Sequence, residues 1–222
     1  MFNLARGFRI TDCSYTRLFS CRASDCSANR TILEQFRNHI HKFVNISDRE
    51  FADIIGYFQV QTLKKKENIL LEGQICKAQY FVLQGILRKF FINEKGGEQT
   101  TEFAIENWWM TETFSYLNQA PTEFYIQAVE NTQVLILYRD AHDKMLEAHP
   151  AMEKYFRYIY QKAYAAAQMR IKFQYEHSRE ELYHFFRRSQ PEFLQRVPQY
   201  LIASYLGFTP EYLSEIRRKS IS

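Results

Sequence analysis

The sequence predicts an α+β chain with four parts: short N-terminal helices, an antiparallel β-roll, one long helix and a C-terminal helix-turn-helix. Three observations predict it. Between Val60 and Leu137, short runs rich in β-branched and aromatic residues are separated by turn residues. From Ala151 to Ser178 neither Pro nor Gly interrupts a helical apolar period. Near the end, "YLIASYLGFTPEYLSEIRRKS" (residues 200–220) sets a single glycine between two short apolar-patterned segments.

Composition supports a folded core. Of 222 residues, 46% are hydrophobic and 16% aromatic, and only seven glycines and five prolines occur, which argues against a disordered or fibrous class. No apolar run approaches the roughly 20 residues of a membrane span, and no apolar core follows the N-terminal arginines, so a soluble cytoplasmic chain with no membrane partner is expected. The net charge of +4 is unevenly placed: residues 150–222 hold twelve Lys and Arg against seven Asp and Glu. A polyanionic partner of that last third, or a solvated basic face, explains the excess. Cys13, Cys21 and Cys26 crowd the start and Cys76 sits apart, without a tight C-x2-C pair. Free thiols are expected, and neither a metal nor a cofactor.

Residues 1–30 show no clear period and read as an N-terminal extension. From Ile32, Leu33, Phe36, Ile40 and Phe43 fall at helical spacing. Asn45 or Ser47 then caps a second short helix in "DREFADIIGYF". The strand-rich region is punctuated at Gly73, Gly85, Gly96-Gly97 and Asn131, the paired glycines after "NEK" marking a hairpin. In the long helix, Met152, Phe156, Ile159, Ala163, Ala166, Arg170 and Phe173 recur at steps of four and three. That spacing is a heptad seam, suited to packing on its own domain or against a second copy, with Arg170 facing solvent or a carboxylate. A further helical piece, "SREELYHFFRRSQPEFLQ", is broken at Pro191.

The final stretch meets the demands of a helix-turn-helix. Ala203 is the small residue at the crossing and Gly207 the turn, while Ile202, Leu206, Leu213 and Ile216 supply the buried faces. Thr209 caps the second helix and Pro210 occupies its first position. Its exposed face carries Glu211, Tyr212, Ser214, Glu215, Arg217 and Arg218, followed by Lys219. Early residues suit base edges, whereas Arg217, Arg218 and Lys219 suit phosphates.

An enzyme is not expected. No G-x-S-x-G, P-loop, H-E-x-x-H or G-x-G-x-x-G occurs. His39 and His41 fall on opposite sides of one helix, and the Glu181/His184 pair lacks a companion.

This order of parts resembles the Crp/Fnr superfamily of bacterial transcription regulators. "LKKKENILLEGQICKAQYFVLQGILRKFF", "EQTTEFAIENWW" and "RVPQYLIASYLGFTPEYLSEIRRK" are most similar to its Bacteroidetes branch. The resemblance covers about residues 32–219 and implies a jelly roll like that of cyclic-nucleotide-binding domains. It implies a β-roll sensor domain (31–148), a dimerisation helix (149–177) and a DNA-binding domain (178–222). The implied partners are double-stranded DNA with a near-palindromic operator, a second copy of the chain, RNA polymerase and an unidentified small-molecule effector. In cyclic-AMP-binding relatives, a G-E-[LIV] turn and an Arg-Ser or Arg-Thr pair hold the phosphate. The matching turn here is "WMTETF", which keeps Glu112 but places Thr111 and Thr113 around it, and Thr122-Glu123 stands where the basic pair is expected. Two carboxylates facing a phosphate argue against cyclic nucleotide binding. The candidate effector pocket, Trp108, Trp109, Glu112, Thr122, Glu123 and Tyr125 with Phe124, suits an uncharged or cationic molecule, or is filled by its own side chains. The other reading is a ligand-sensing or protein-interaction module that does not bind DNA.

Overall fold

The computed structural model describes residues 26–219, without the side chains of residues 26–32, Arg179, Arg217 and Lys219. Cys13, Cys21 and most of the expected N-terminal extension lie outside the described residues.

Two helices open the fold. α1 (Cys26–His41) begins before Ile32, where the apolar period becomes legible, and buries Leu33, Phe36 and Ile40. α2 (Asp48–Ile55) is started by Ser47: the serine accepts from Glu50 N–H while the Glu50 carboxylate returns to Ser47 N–H.

The roll consists of two four-stranded antiparallel sheets. One has the order β1 (Gln59–Leu63), β8 (Thr132–Tyr138), β3 (Ala78–Gln84), β6 (Trp109–Met110). The other runs β2 (Asn68–Leu70), β7 (Tyr125–Ala128), β4 (Leu87–Ile92), β5 (Glu98–Ala104). Alternation along the strands divides the core. Ala78, Tyr80 and Val82 of β3 join Val134 and Ile136 of β8 in the filling between the sheets. Phe81, Leu83, Leu135 and Leu137 face outward, where α1, α2 and the later helices cover them. The expected hairpin joins β4 to β5, with Gly96 at φ +77° and the Asn93 and Gly97 backbones bonded across it.

Two helices were not legible as such in the sequence: α3 (Thr113–Asn118), between β6 and β7, and α4 (Arg139–Ala148), directly after β8. The long helix follows as α5 (Ala151–Glu176), about 39 Å at 1.5 Å per residue. After a break at His177–Ser178 come α6 (Arg179–Ser189), α7 (Pro191–Arg196), α8 (Gln199–Leu206) and α9 (Pro210–Lys219). The α+β architecture expected from the sequence is the one observed: helices, jelly roll, long helix and a C-terminal helical region.

Candidate functional site

The C-terminal helix pair is built around Gly207. Its φ of +74° and ψ of 33° are left-handed, and its N–H closes α8 onto Ala203 and Ser204 carbonyls. No atom lies within 4 Å of where its Cβ would be, so conformation rather than space demands glycine here. Ala203 is fully buried, and Leu201 and Ile202 from α8 meet Leu213 and Ile216 from α9. Thr209 Oγ1 accepts from Tyr212 N–H, and Pro210 opens α9 where its missing N–H costs nothing. Glu211, Tyr212, Ser214, Glu215 and Arg218 are exposed along α9. Arg217 and Lys219 belong to the same helix, but their side chains lie outside the described residues.

The candidate effector residues do not converge on one pocket. Trp108 is 55% exposed, while Trp109, its neighbour on an extended chain, points the other way into the core. There Trp109 packs on Phe36, Phe81 and Phe156, and its Nε1–H donates to Tyr155 Oη at 2.8 Å. Glu112 is 5% exposed and serves its own backbone: its carboxylate accepts from Phe114 N–H at 3.1 Å and Ser115 N–H at 2.7 Å, capping α3. The turn that holds phosphate in the resembling proteins is thus occupied by an internal carboxylate. Thr122 is buried in backbone bonds with Gly73 and Gln74, whereas Glu123 is exposed. Tyr125 stacks on Phe90 with 5.0 Å between centroids and donates to Glu72.

Beside this turn a polar chain ties α3 to α5. Tyr160 Oη donates to Gln79 Oε1 at 2.9 Å, Gln79 Nε2 donates to Tyr116 Oη at 3.2 Å, and Tyr116 Oη meets His142 Nδ1 at 3.3 Å. Burial pushes the Tyr160 hydroxyl up to about 12 and holds His142 below its ordinary value. These side chains fill the space between α3 and α5 with a neutral hydrogen-bonded network.

The seam residues of α5 divide into three groups. Met152 and Phe156 are buried in their own chain's core, and Ile159, partly buried, packs against it. Ala163 and Ala166 are exposed. Arg170 lies over the Tyr205 ring at 4.2 Å, facing neither solvent alone nor a carboxylate, and Phe173 packs on Phe185. A different strip of α5 is exposed and apolar: Tyr160, Tyr164 and Ile171, with Ala167 between them. It runs at steps of four, three and four.

Glu181 spends its carboxylate on the Ser178 N–H, and His39 is buried against Tyr155 while His41 sits partly exposed. Among the described residues no cluster of three His, Cys, Asp or Glu is arranged to hold a metal, and no helix is long and apolar enough to cross a membrane.

Residues 60–149 match the family model of the cyclic nucleotide-binding domain. No curated protein sequence matches the chain. Among solved structures, FixK2 from Bradyrhizobium japonicum is similar at TM-score 0.63 and 15% identity, over 73% of this chain and 83% of that one. CLP, a c-di-GMP-responsive global regulator from Xanthomonas campestris, is similar at TM-score 0.64 and 11% identity, over 78% and 91%. A protein of the Crp/Fnr family from Eubacterium rectale is similar at TM-score 0.60 and 15% identity, over 78% and 83%. The chain therefore has the fold of Crp/Fnr-type regulators, with a cyclic nucleotide-binding-type domain at its centre.

Proposed function

We propose that this chain, carrying a cyclic nucleotide-binding-type domain in the Crp/Fnr fold, is a dimeric, sequence-specific DNA-binding transcription regulator. The observation that carries the reading is the helix pair closed by the left-handed Gly207, with Glu211, Tyr212, Ser214, Glu215 and Arg218 left exposed along α9. Such a helix is sized and presented for a major groove. Its N-terminal residues Glu211, Tyr212 and Ser214 are assigned to base edges, and Arg217, Arg218 and Lys219 to phosphates. Thr209 and Glu215 complete the contact face. The partner is a near-palindromic duplex, with RNA polymerase engaged from the bound complex.

The second copy is assigned to the exposed strip of α5, Tyr160, Tyr164, Ala167 and Ile171, with Ala163 beside it. Exposed aromatic and aliphatic side chains in heptad register suit a parallel helix pair, and the small residues allow close approach. The N-terminal turns of α5 stay with their own roll.

The reading excludes cyclic AMP and cyclic GMP as effectors of the roll. Glu112 fills the α3 N–H groups, and no arginine stands at Thr122-Glu123. Calorimetric titration with either nucleotide should show no saturable binding at or below about 10 µM. For DNA, affinity measured against salt should fall steeply as counterions are released. Arg218→Ala should weaken all sequences alike and flatten that slope, whereas Ser214→Ala should cost about 1–3 kcal/mol at particular operator positions. Salt-insensitive affinity for duplex DNA would leave the protein-interaction reading in its place.

A further inference from the structure

We propose that His39 and His142 form a proton-sensitive seat for the start of α5: both are neutral while Tyr155 and Phe156 rest on them, and protonation favours lifting these turns off the roll. The inference concerns how α5 is seated and does not depend on what α9 binds.

The two imidazoles reach α5 from different elements. His39 comes from α1 and His142 from α4, and both are buried. His39 Nδ1 is hydrogen-bonded to Tyr155 Oη at 2.9 Å, with the two rings edge-on at 5.8 Å. The His142 ring stands edge-on to Phe156 at 4.6 Å, and its Nδ1 meets Tyr116 Oη at 3.3 Å. Tyr155 and Phe156 are themselves buried and meet edge-on at 5.1 Å. Consecutive residues of one helix thus each rest on a histidine supplied by another.

These surroundings suit an imidazole and not an imidazolium, which carries a charge and donates from both nitrogens. The charged groups facing His39 are Lys42 on its own helix and Lys162 on α5, both cations, and Phe43 and Phe81 wall it in. Once protonated, Nδ1 has to donate to a Tyr155 Oη that already accepts from Trp109 Nε1. His142 has Asp143 Oδ1 at 3.9 Å, which favours the charged form, but that carboxylate is 64% exposed and water weakens the attraction. Arg139, on the same helix, is turned onto the Tyr116 ring, and the groups that β3 and α5 add through Tyr116, Gln79 and Tyr160, are neutral. His142 Nε2 is buried without a hydrogen-bond partner among the described residues. Burial holds both histidines below their ordinary value.

The start of α5 is separable from the body of the roll. The filling between the two sheets contains neither histidine and no residue of α5. Before α5, His149 breaks the helical path at φ −131° and ψ 77°. Lifting Tyr155 and Phe156 would open both imidazoles to water while the strands keep their pairing. The burial of Met152, Tyr155 and Phe156 holds the seat closed when the histidines are neutral.

The sign follows from which state binds the proton more tightly. In the seated form His39 titrates at about 4 against an ordinary 6.5, so the lifted form takes up the proton first as pH falls. From that difference, lifting becomes about thirtyfold easier between about pH 7.5 and pH 5. The effect is absent above the ordinary histidine range and fully developed once the seated form titrates too. His142 acts in the same direction.

Amide hydrogen exchange of the full chain tests this, with rates corrected for the intrinsic pH dependence of exchange. The Tyr155 and Phe156 amides should exchange through a local opening, with weaker urea dependence than a strand amide such as that of Leu135. Their protection should fall about thirtyfold or more between about pH 7.5 and pH 5. His39→Leu should remove most of that fall and His39→Leu with His142→Leu nearly all of it. A proton-resonance titration of the wild-type histidine rings needs no variant: both should titrate below the ordinary histidine range in the folded protein. The proposal is overturned if the α5 amides exchange only with global unfolding, if their corrected protection does not change with pH, or if both rings titrate near 6.5.

Discussion

Gly207 and His39 show how single residues constrain this fold. At Gly207 no neighbour crowds a side chain, so the cost of substitution is that of left-handed backbone. Gly207→Val should therefore destabilise the protein by about 1–2 kcal/mol, and Gly207→Asn by less, as read from urea midpoints. A large loss in both would mean that packing, not conformation, selects glycine. His39 is buried in a hydrogen-bonded chain whose direction is fixed at one end. Trp109 Nε1 can only donate, so Tyr155 Oη accepts from it, and the same hydroxyl is hydrogen-bonded to His39 Nδ1, 2.9 Å away. Burial, with Lys42 and Lys162 nearby, lowers His39 from 6.5 to about 4. The unfolded chain thus binds this proton first as pH falls, and folding stability should decline between about pH 6.5 and pH 4. His39→Leu should flatten that decline in urea midpoints taken across the range; an unchanged pH profile would place the sensitivity elsewhere.

At the scale of elements, the proposed dimer rests on α5. Ile171→Glu or Tyr164→Glu should place like charges across a helix pair and turn the dimer into a folded monomer, checked by sedimentation with circular dichroism. Met152→Ala, by contrast, should cost about 2–5 kcal/mol of folding stability and leave the association unchanged, because Met152 is fully buried in its own core. A protein already monomeric at micromolar concentration would remove the dimer. The heptad spacing of α5 was legible in the sequence, but its facing was not. Two apolar strips run along this helix, and only the position of the roll decides that Met152 and Phe156 turn inward while Tyr164 and Ile171 do not. Elements with local signals were read closely: α9 begins at Pro210 behind Thr209, α2 behind Ser47, and the β4–β5 hairpin turns at Gly96. α3 was missed because its cap, Glu112, is a residue that the resemblance assigned to a ligand. The split of Trp108 and Trp109 follows from the pleat and needed only the strand to be recognised. The contacts of Ser204 with Thr100 and of Arg196 with Glu106 gave no sequence signal, since these partners lie 104 and 90 residues apart.

For the whole molecule, the cyclic nucleotide-binding-type roll, α5 and the helix pair share one chain but separate tasks. The roll matches its domain family over residues 60–149, yet spends its phosphate-turn amides on Glu112 and fills the space between α3 and α5 with the Tyr160–Gln79–Tyr116–His142 chain. On the proposed reading, the roll does not take a cyclic phosphate, and the edge strand β5 is where the roll meets the helix pair. The central claim is that two copies present two α9 helices to one duplex. Footprinting the full chain on bound genomic DNA tests it most directly. The account predicts two protected half-sites on one face, about 10 bp apart centre to centre and related by dyad symmetry. A single protected site without dyad symmetry, or no protection at any sequence, would contradict it.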